Sequence, residues 1–147
     1  MNYSKIALII SMGVISATTL AQNCKENIVS SYSQGQFLDN QDGTITDVVN
    51  GLLWKKCTEG QSYNQVTNEC VGSPVNVDTW QDALELSSEA EDDYRLPNIK
   101  ELGTLVQRRC IDPAIDLDAF PSTPSAVYWS NTADMANIHE REGVEGK

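Results

Sequence analysis

The run Arg95-Leu96-Pro97-Asn98-Ile99-Lys100-Glu101-Leu102 constrains this chain most, because a fixed backbone bend and a helix start fall within one short stretch. Pro97 holds its own φ at about −65° and drives Leu96 into an extended conformation, so Arg95-Leu96 ends an extended segment. Asn98 is placed to cap the helix that follows, and Glu101, three residues on, completes a capping box. Ile99, Leu102, Leu105 and Val106 recur on one face, and the spacing predicts a short amphipathic helix over about residues 99 to 108.

The N-terminus reads as an export signal. Lys5 gives a positive start, Ile6 to Ile15 form an apolar stretch broken only by Ser11 and Gly13, and Thr19-Leu20-Ala21 supplies a small-residue cleavage site. The apolar stretch is short for a membrane span. A lipid anchor needs a small residue directly before the modified cysteine, whereas Asn23 precedes Cys24. Cleavage after residue 21 leaves 126 of the 147 residues, the size of a single domain over 22–147. Its ordered part is expected over about 37–132, with 133–147 polar, unpatterned and poorly ordered.

Of the 10 basic residues, Lys5 leaves with the signal, so 9 remain against 21 acidic ones. A chain of that sign is repelled by phosphate and by anionic membranes, which argues against nucleic acid as a partner.

Cys24, Cys57, Cys70 and Cys110 all lie beyond the signal, and an even count in an exported domain argues for two disulfides. Three pairings are possible. Cys57 with Cys70 is favoured, because Thr58 to Glu69 reads as a polar, structureless insertion in need of a staple; Cys24 with Cys110 then ties down the N-terminus. Metal binding is disfavoured because the chain has no CxxC pair.

Residues 36 to 56 read as a strand meander: Gln36 to Leu38, a turn ending in Asp42-Gly43, Thr44 to Val48, a turn at Asn50-Gly51, then Leu52 to Lys55. The Asp-Gly and Asn-Gly pairs supply the positive φ that tight hairpins require. Asp78 or Thr79 caps a helix in which Trp80, Ala83 and Leu84 face inward. Residues 111–124 hold three prolines and read as an ordered loop. Ala126 to Ser130 has the aromatic, β-branched look of a buried strand.

Asp39, Asp42 and Asp47 around Gly43 invite a calcium-loop reading, but placing Gly43 at the loop glycine puts Leu38 and Val49 where carboxylates belong, so a plain hairpin is preferred. Asp112, Asp116 and Asp118 form a second acidic cluster, read as solvated loop charge. His139, the only histidine, sits in the unpatterned tail and builds no catalytic pair. Arg95 has two candidate roles: tying strands together alongside Trp54, Trp80 and Trp129, which is preferred, or offering its fork to a ligand carboxylate or sugar. The three tryptophans have the chemistry of a sugar-stacking platform, yet each falls at an inward position of its element, which favours core packing. No residue set calls for a cofactor or a metal, and none assembles a catalytic site.

Taken together, Asp42-Gly43-Thr44-Ile45-Thr46-Asp47, Gly51-Leu52-Leu53-Trp54, Thr79 to Leu84, Arg95 to Leu102, Phe120-Pro121-Ser122-Thr123 and Tyr128-Trp129-Ser130 resemble the family named for the C-terminal domain of the Lcl collagen-like adhesin. The structural motif of that resemblance comprises Asp42, Gly43, Asp47, Trp54, Trp80, Arg95, Pro97, Glu101 and Trp129. It implies an exported bacterial protein with an α+β domain of the C-type-lectin-like and formylglycine-generating-enzyme-like kind, with short antiparallel strands, two helices and disulfide staples. It also implies adhesion, through surface glycans or a cell-surface protein. Tyr94 stands where the family usually shows tryptophan, and the family normally continues past Ser130 through further strands, so a truncated member with an exposed sheet edge is expected.

The expected function is therefore a non-catalytic exported binding module. A formylglycine-generating oxidase is the enzymatic alternative, and it needs a reactive cysteine pair near the end of the domain. A pilus or envelope assembly component is the third reading. Sulfated polymers suit this acidic chain only if Lys55, Lys56, Arg108 and Arg109 gather on one surface.

Overall fold

A computed structural model describes residues 22–90 and 94–133. The signal segment, the acidic residues 91–93, His139 and the tail from 134 lie outside the described residues. Seven short strands and two helices are described in chain order: β1 (Asn23–Cys24), β2 (Phe37–Asp39), β3 (Thr44–Asp47), β4 (Leu52–Lys55), β5 (Ser62–Asn64), β6 (Glu69–Val71), α1 (Trp80–Ser88), α2 (Ile99–Gly103) and β7 (Cys110–Ile111). All strand pairings are antiparallel, and they form a three-stranded sheet and two strand pairs. The domain is thus a mixed α+β fold.

The β2-β3-β4 meander forms where the turn residues predict it. Gly43 and Gly51 both take positive φ, at 92° and 66°. Ile45 stands opposite Asp39 on one side and Trp54 on the other, and Asp47 stands opposite Phe37 and Leu52. Strand alternation sends Ile45 and Asp47 inward, both fully buried, while Leu38 and Leu53 face out. Tyr32 packs edge-on against Phe37 at 4.9 Å between ring centroids, and Phe37 against Phe120 at 5.3 Å. These rings run onto the buried Phe120; Ile45 and Ala83 are buried as well.

Both expected cysteine pairs are bonded. Cys24 and Cys110 face each other across β1 and β7, with Cα atoms 4.0 Å apart, and close a span of 86 residues. Cys57 and Cys70 close a span of 13. The segment between them is not structureless: β5 and β6 pair as a hairpin, with Tyr63 opposite Cys70. Gly43 supports it, because a Cβ there would press on the Tyr63 ring at 3.2 Å.

Two further expectations need correction. Helix α2 ends at Gly103, not near residue 108. Thr104, Leu105 and Val106 bond back three residues rather than four, and Gln107 then donates to Ala114, so the chain tightens and leaves the helix. No residue of α2 is fully buried. Residues 126–130 form no strand and lie on the surface, with Val127 94% exposed. Among the described residues no His, Cys, Asp or Glu group is arranged to hold a cation.

Candidate functional site

The Arg95-to-Leu102 run works as a hub. Asn98 accepts from the Lys100 and Glu101 amides while Glu101 accepts from the Asn98 amide, which is the expected capping box. Among the described residues Arg95 makes no hydrogen bond to a strand or a tryptophan. It forks onto Glu101, with Nη1 2.8 Å from Oε2 and Nη2 2.7 Å from Oε1. That fork and the Asn98 amide hold the Glu101 carboxyl down at a pKa of about 2.

The hub fastens two further pieces. The Leu96 amide donates to Ser87 Oγ in the last turn of α1, joining the helix ends. Asn131 donates from its backbone to the Pro97 carbonyl at 2.8 Å and from its side chain to the Leu96 carbonyl, and the Ile99 amide donates to Thr132 Oγ1. Residues 128–132 therefore run as a strap across the starts of both helices, held by hydrogen bonds rather than by sheet pairing. The aromatic, β-branched segment is not a strand here, and the Ser130 carbonyl goes to the Trp80 indole instead of a ladder.

At the other end of the strap, two tryptophans exchange ties. Trp80, the first residue of α1 after its Thr79 cap, donates Nε1 to the Ser130 carbonyl at 2.8 Å, and Trp129 donates Nε1 to the Val77 carbonyl at 3.3 Å. Tyr128 donates to the Pro124 carbonyl and lies 3.4 Å from Thr58 Oγ1, linking the strap to the disulfide hairpin segment. The expectation that all three tryptophans fill the core does not hold. Trp54 lies on the inward face of β4, but Trp80 and Trp129 are 37% and 39% exposed, and Tyr128 38%. The Trp80 and Trp129 indoles each satisfy their one donor on backbone, so the ring is held in place while part of it faces solvent, whereas the buried Trp54 Nε1 finds no partner among the described residues.

The aspartates have separate duties. Asp39 accepts from Lys56 Nζ at 2.6 Å, and this bond holds its carboxyl below the usual range. Asp42 closes its turn on the Thr44 amide and hydroxyl. Asp47 is fully buried and accepts from the Val49 and Asn50 amides and from the Asn50 and Gln36 side chains. Asp112 accepts from Ser125, and Asp116 from the Asp118 amide.

Asp116 and Asp118 line a cleft of about 240 Å³ with Tyr32, Gln36, Phe37 and Asp39. The Tyr32 hydroxyl donates to the Leu105 carbonyl, and its pKa is raised by burial and by the negative charge of Asp116. Lys55 and Lys56 are committed to Glu59 and Asp39, so two of the four cations suggested for a basic surface are already paired.

The motif residues occupy one scaffold: Gly43, Asp47 and Trp54 in the meander, Trp80 on α1, Arg95, Pro97 and Glu101 in the hub, Trp129 on the strap. A family model, the Lcl C-terminal domain, matches residues 43–145. The chain belongs to that family. The match takes in every motif residue from Gly43 onward and both cysteines of the hairpin disulfide, and it runs past Thr132, where sequence reading alone ended the family pattern. Comparison with curated proteins and with solved structures returns no match.

Two residues of this Lcl C-terminal domain depart from the sequence expectation: Tyr128 lies on the exposed strap, not in a buried strand, and Lys56 is buried on the face of β4 shared by Leu52 and Trp54, not on a basic surface.

Proposed function

We propose that this Lcl C-terminal domain is a non-catalytic, exported binding module that takes neutral carbohydrate on the surface formed by Trp80, Tyr128 and Trp129. The observation that carries the reading is the state of these three rings. They are more than a third exposed, yet their polar atoms are anchored to backbone. Fixed aromatic faces suit the apolar faces of pyranose rings, and a fixed ring loses little freedom when ligand arrives. The formal charge of −11 favours neutral sugars over sulfated ones.

Three observations support the wider reading. All four cysteines are in disulfides, which fits an oxidising, exported location and leaves no thiol for formylglycine-type oxidase chemistry. No helix among the described residues is long and apolar enough to cross a membrane. Short antiparallel strands, two helices and two staples are in keeping with a C-type-lectin-like or formylglycine-generating-enzyme-like architecture.

Glycan-array binding followed by titration of the best neutral hit tests the proposal. Trp80→Ala and Trp129→Ala should each weaken binding at least about tenfold, equal to about 1.4 kcal/mol, in protein whose circular dichroism is unchanged. Silence across neutral glycans, with capture of a cell-surface protein instead, would overturn the carbohydrate reading in favour of adhesion through protein or of envelope assembly.

A further inference from the structure

Lys56 stands out once its surroundings are followed. Its side chain is wholly buried, and its ammonium has three neighbours: Asp39 Oδ2 at 2.6 Å, Asn68 Oδ1 at 2.7 Å and the Tyr63 ring, whose centroid is 4.8 Å away. Tyr63 Oη in turn donates to the same Asn68 oxygen at 2.9 Å. A primary amine, a carboxyl group and a side-chain amide thus meet in one place, with a hydroxyl aimed at the amide oxygen. The meander supplies the amine and the acid; the disulfide hairpin supplies the amide and the hydroxyl. Structural fastening alone needs only the ion pair. The amide within hydrogen-bond reach of the amine, polarised by a second donor, supplies an electrophile as well.

We propose that Lys56 and Asn68 become joined by an intramolecular amide bond, formed by the protein on itself with Asp39 as proton carrier and Tyr63 as the donor that steadies the developing oxyanion. The step balances without any co-reactant. Lys56 passes a proton to Asp39, and the neutral Nζ attacks Asn68 Cγ, one carbonyl bond beyond the oxygen it now touches. The tetrahedral oxyanion is held by Tyr63 Oη, and the protonated Asp39 delivers its proton to the departing amide nitrogen. The Nζ–Cγ bond forms, the Cγ–Nδ2 bond breaks, and ammonia leaves, taking up the remaining proton as ammonium. The hydrogen bond from Lys56 holds Asp39 below the usual carboxylate range and opposes this proton transfer. The neutral pair is therefore the minor form, and the reaction is a slow, single-turnover maturation. Its product is a second staple beside the Cys57–Cys70 disulfide, one that reductant does not open.

Peptide mapping of the purified mature protein, fresh and after ageing at neutral pH, decides the matter. After reduction and alkylation, a protease that cuts after glutamate cleaves at Glu26, Glu59 and Glu69, so that Lys56 and Asn68 fall on different pieces, 27–59 and 60–69. The expected result is that these pieces stay joined, with a mass equal to their sum less one ammonia. Ammonia loss by cyclisation of Gln22, or at an asparagine alone, leaves them separate and does not mimic it. Lys56→Arg and Asp39→Asn should each release the two pieces, the first removing the nucleophile and the second the proton carrier. Complete separation of the pieces from wild-type protein, fresh and aged, overturns the proposal whatever the variants do.

Discussion

Replacing Asp47 with alanine should cost far more than replacing Asp42, although both belong to the same hairpin and are indistinguishable by residue type. Asp47 is fully buried, and four donors converge on it: Val49 N at 3.1 Å, Asn50 N at 3.0 Å, Asn50 Nδ2 at 2.7 Å and Gln36 Nε2 at 3.2 Å. Gln36 is itself buried, so its orphaned amide bears the full penalty of an unsatisfied buried group, about 1–3 kcal/mol. The other three donors sit beside the exposed Val48-Val49 turn and recover some water, losing about 0.5–1 kcal/mol each. The expected total for Asp47→Ala is about 4 kcal/mol. Asp42 lies in an exposed turn and makes only the two Thr44 bonds, so Asp42→Ala should cost about 0.5–1 kcal/mol. Urea unfolding reads the difference. With a slope of about 2 kcal/mol per molar, the Asp47→Ala midpoint should fall by about 2 M and the Asp42→Ala midpoint by less than about 0.5 M. Equal costs, or a loss below about 1 kcal/mol for Asp47→Ala, would refute the claim that this carboxylate organises the β3-β4 turn.

Gly60→Ala should destabilise by about 3 kcal/mol in urea titration, because φ there is +90° and a Cβ would sit 2.7 Å from Val75 N and Cγ2; a loss below about 1 kcal/mol would mean the loop simply moves. Removing Cys57 and Cys70 together should cost about 3 kcal/mol, and removing Cys24 and Cys110 somewhat more, about 4–5, since the second pair closes a span of 86 residues against 13; the opposite order would argue against loop entropy as the cause. Glu101 carries a depressed folded pKa, so its contribution is complete above its ordinary pKa of 4.5 and disappears as pH falls through about 2. Wild-type unfolding midpoints should therefore fall more steeply between those pH values than those of Glu101→Gln, and parallel curves would sink the Arg95–Glu101 assignment.

The parts legible in the sequence are those whose cause is local. Asp42-Gly43 and Asn50-Gly51 dictate positive φ within two residues, and Asn98 with Glu101 closes a box within four, so the meander and the start of α2 follow from neighbouring residues alone. The misreadings share a different cause. Ser62, Asn64 and Glu69 give no apolar alternation, so the β5-β6 hairpin rests on the disulfide and on Tyr63 against Gly43, both long-range facts. Tyr128-Trp129 has strand propensity but is claimed by Val77, Pro124 and, one residue on, by Trp80; propensity cannot foresee that competition. Leu105 and Val106 continue the helical period of α2, yet Gln107 bonds to Ala114 and pulls the chain away. The helical period that buries Ala83 points Trp80 to the same face, yet Trp80 is 37% exposed, because the period fixes a face and not how far the next layer extends over it.

These features describe a domain stabilised mainly by directed bonds. Buried residues among those described are only Ile45, Ala83, Phe120, Cys70 and Cys110 as apolar groups, alongside the polar Gln36, Asp47, Lys56 and Gln107. So small an apolar core gives limited hydrophobic stabilisation, and the two disulfides compensate by restricting the unfolded chain. The buried polar residues are each satisfied by partners from other segments: Gln107 by Ser30 and Ser31, Asp47 by Gln36 and Asn50, Lys56 by Asp39 and Asn68. Directed bonds fix geometry more tightly than an oily core of equal strength, since each breaks if its partner moves by an ångström or so. The Arg95 hub, through Leu96, Pro97 and Ile99, in turn ties the last turn of α1 and the strap to the start of α2. Aromatic rings can then be left at the surface without drifting, which is the condition a preformed binding face must meet.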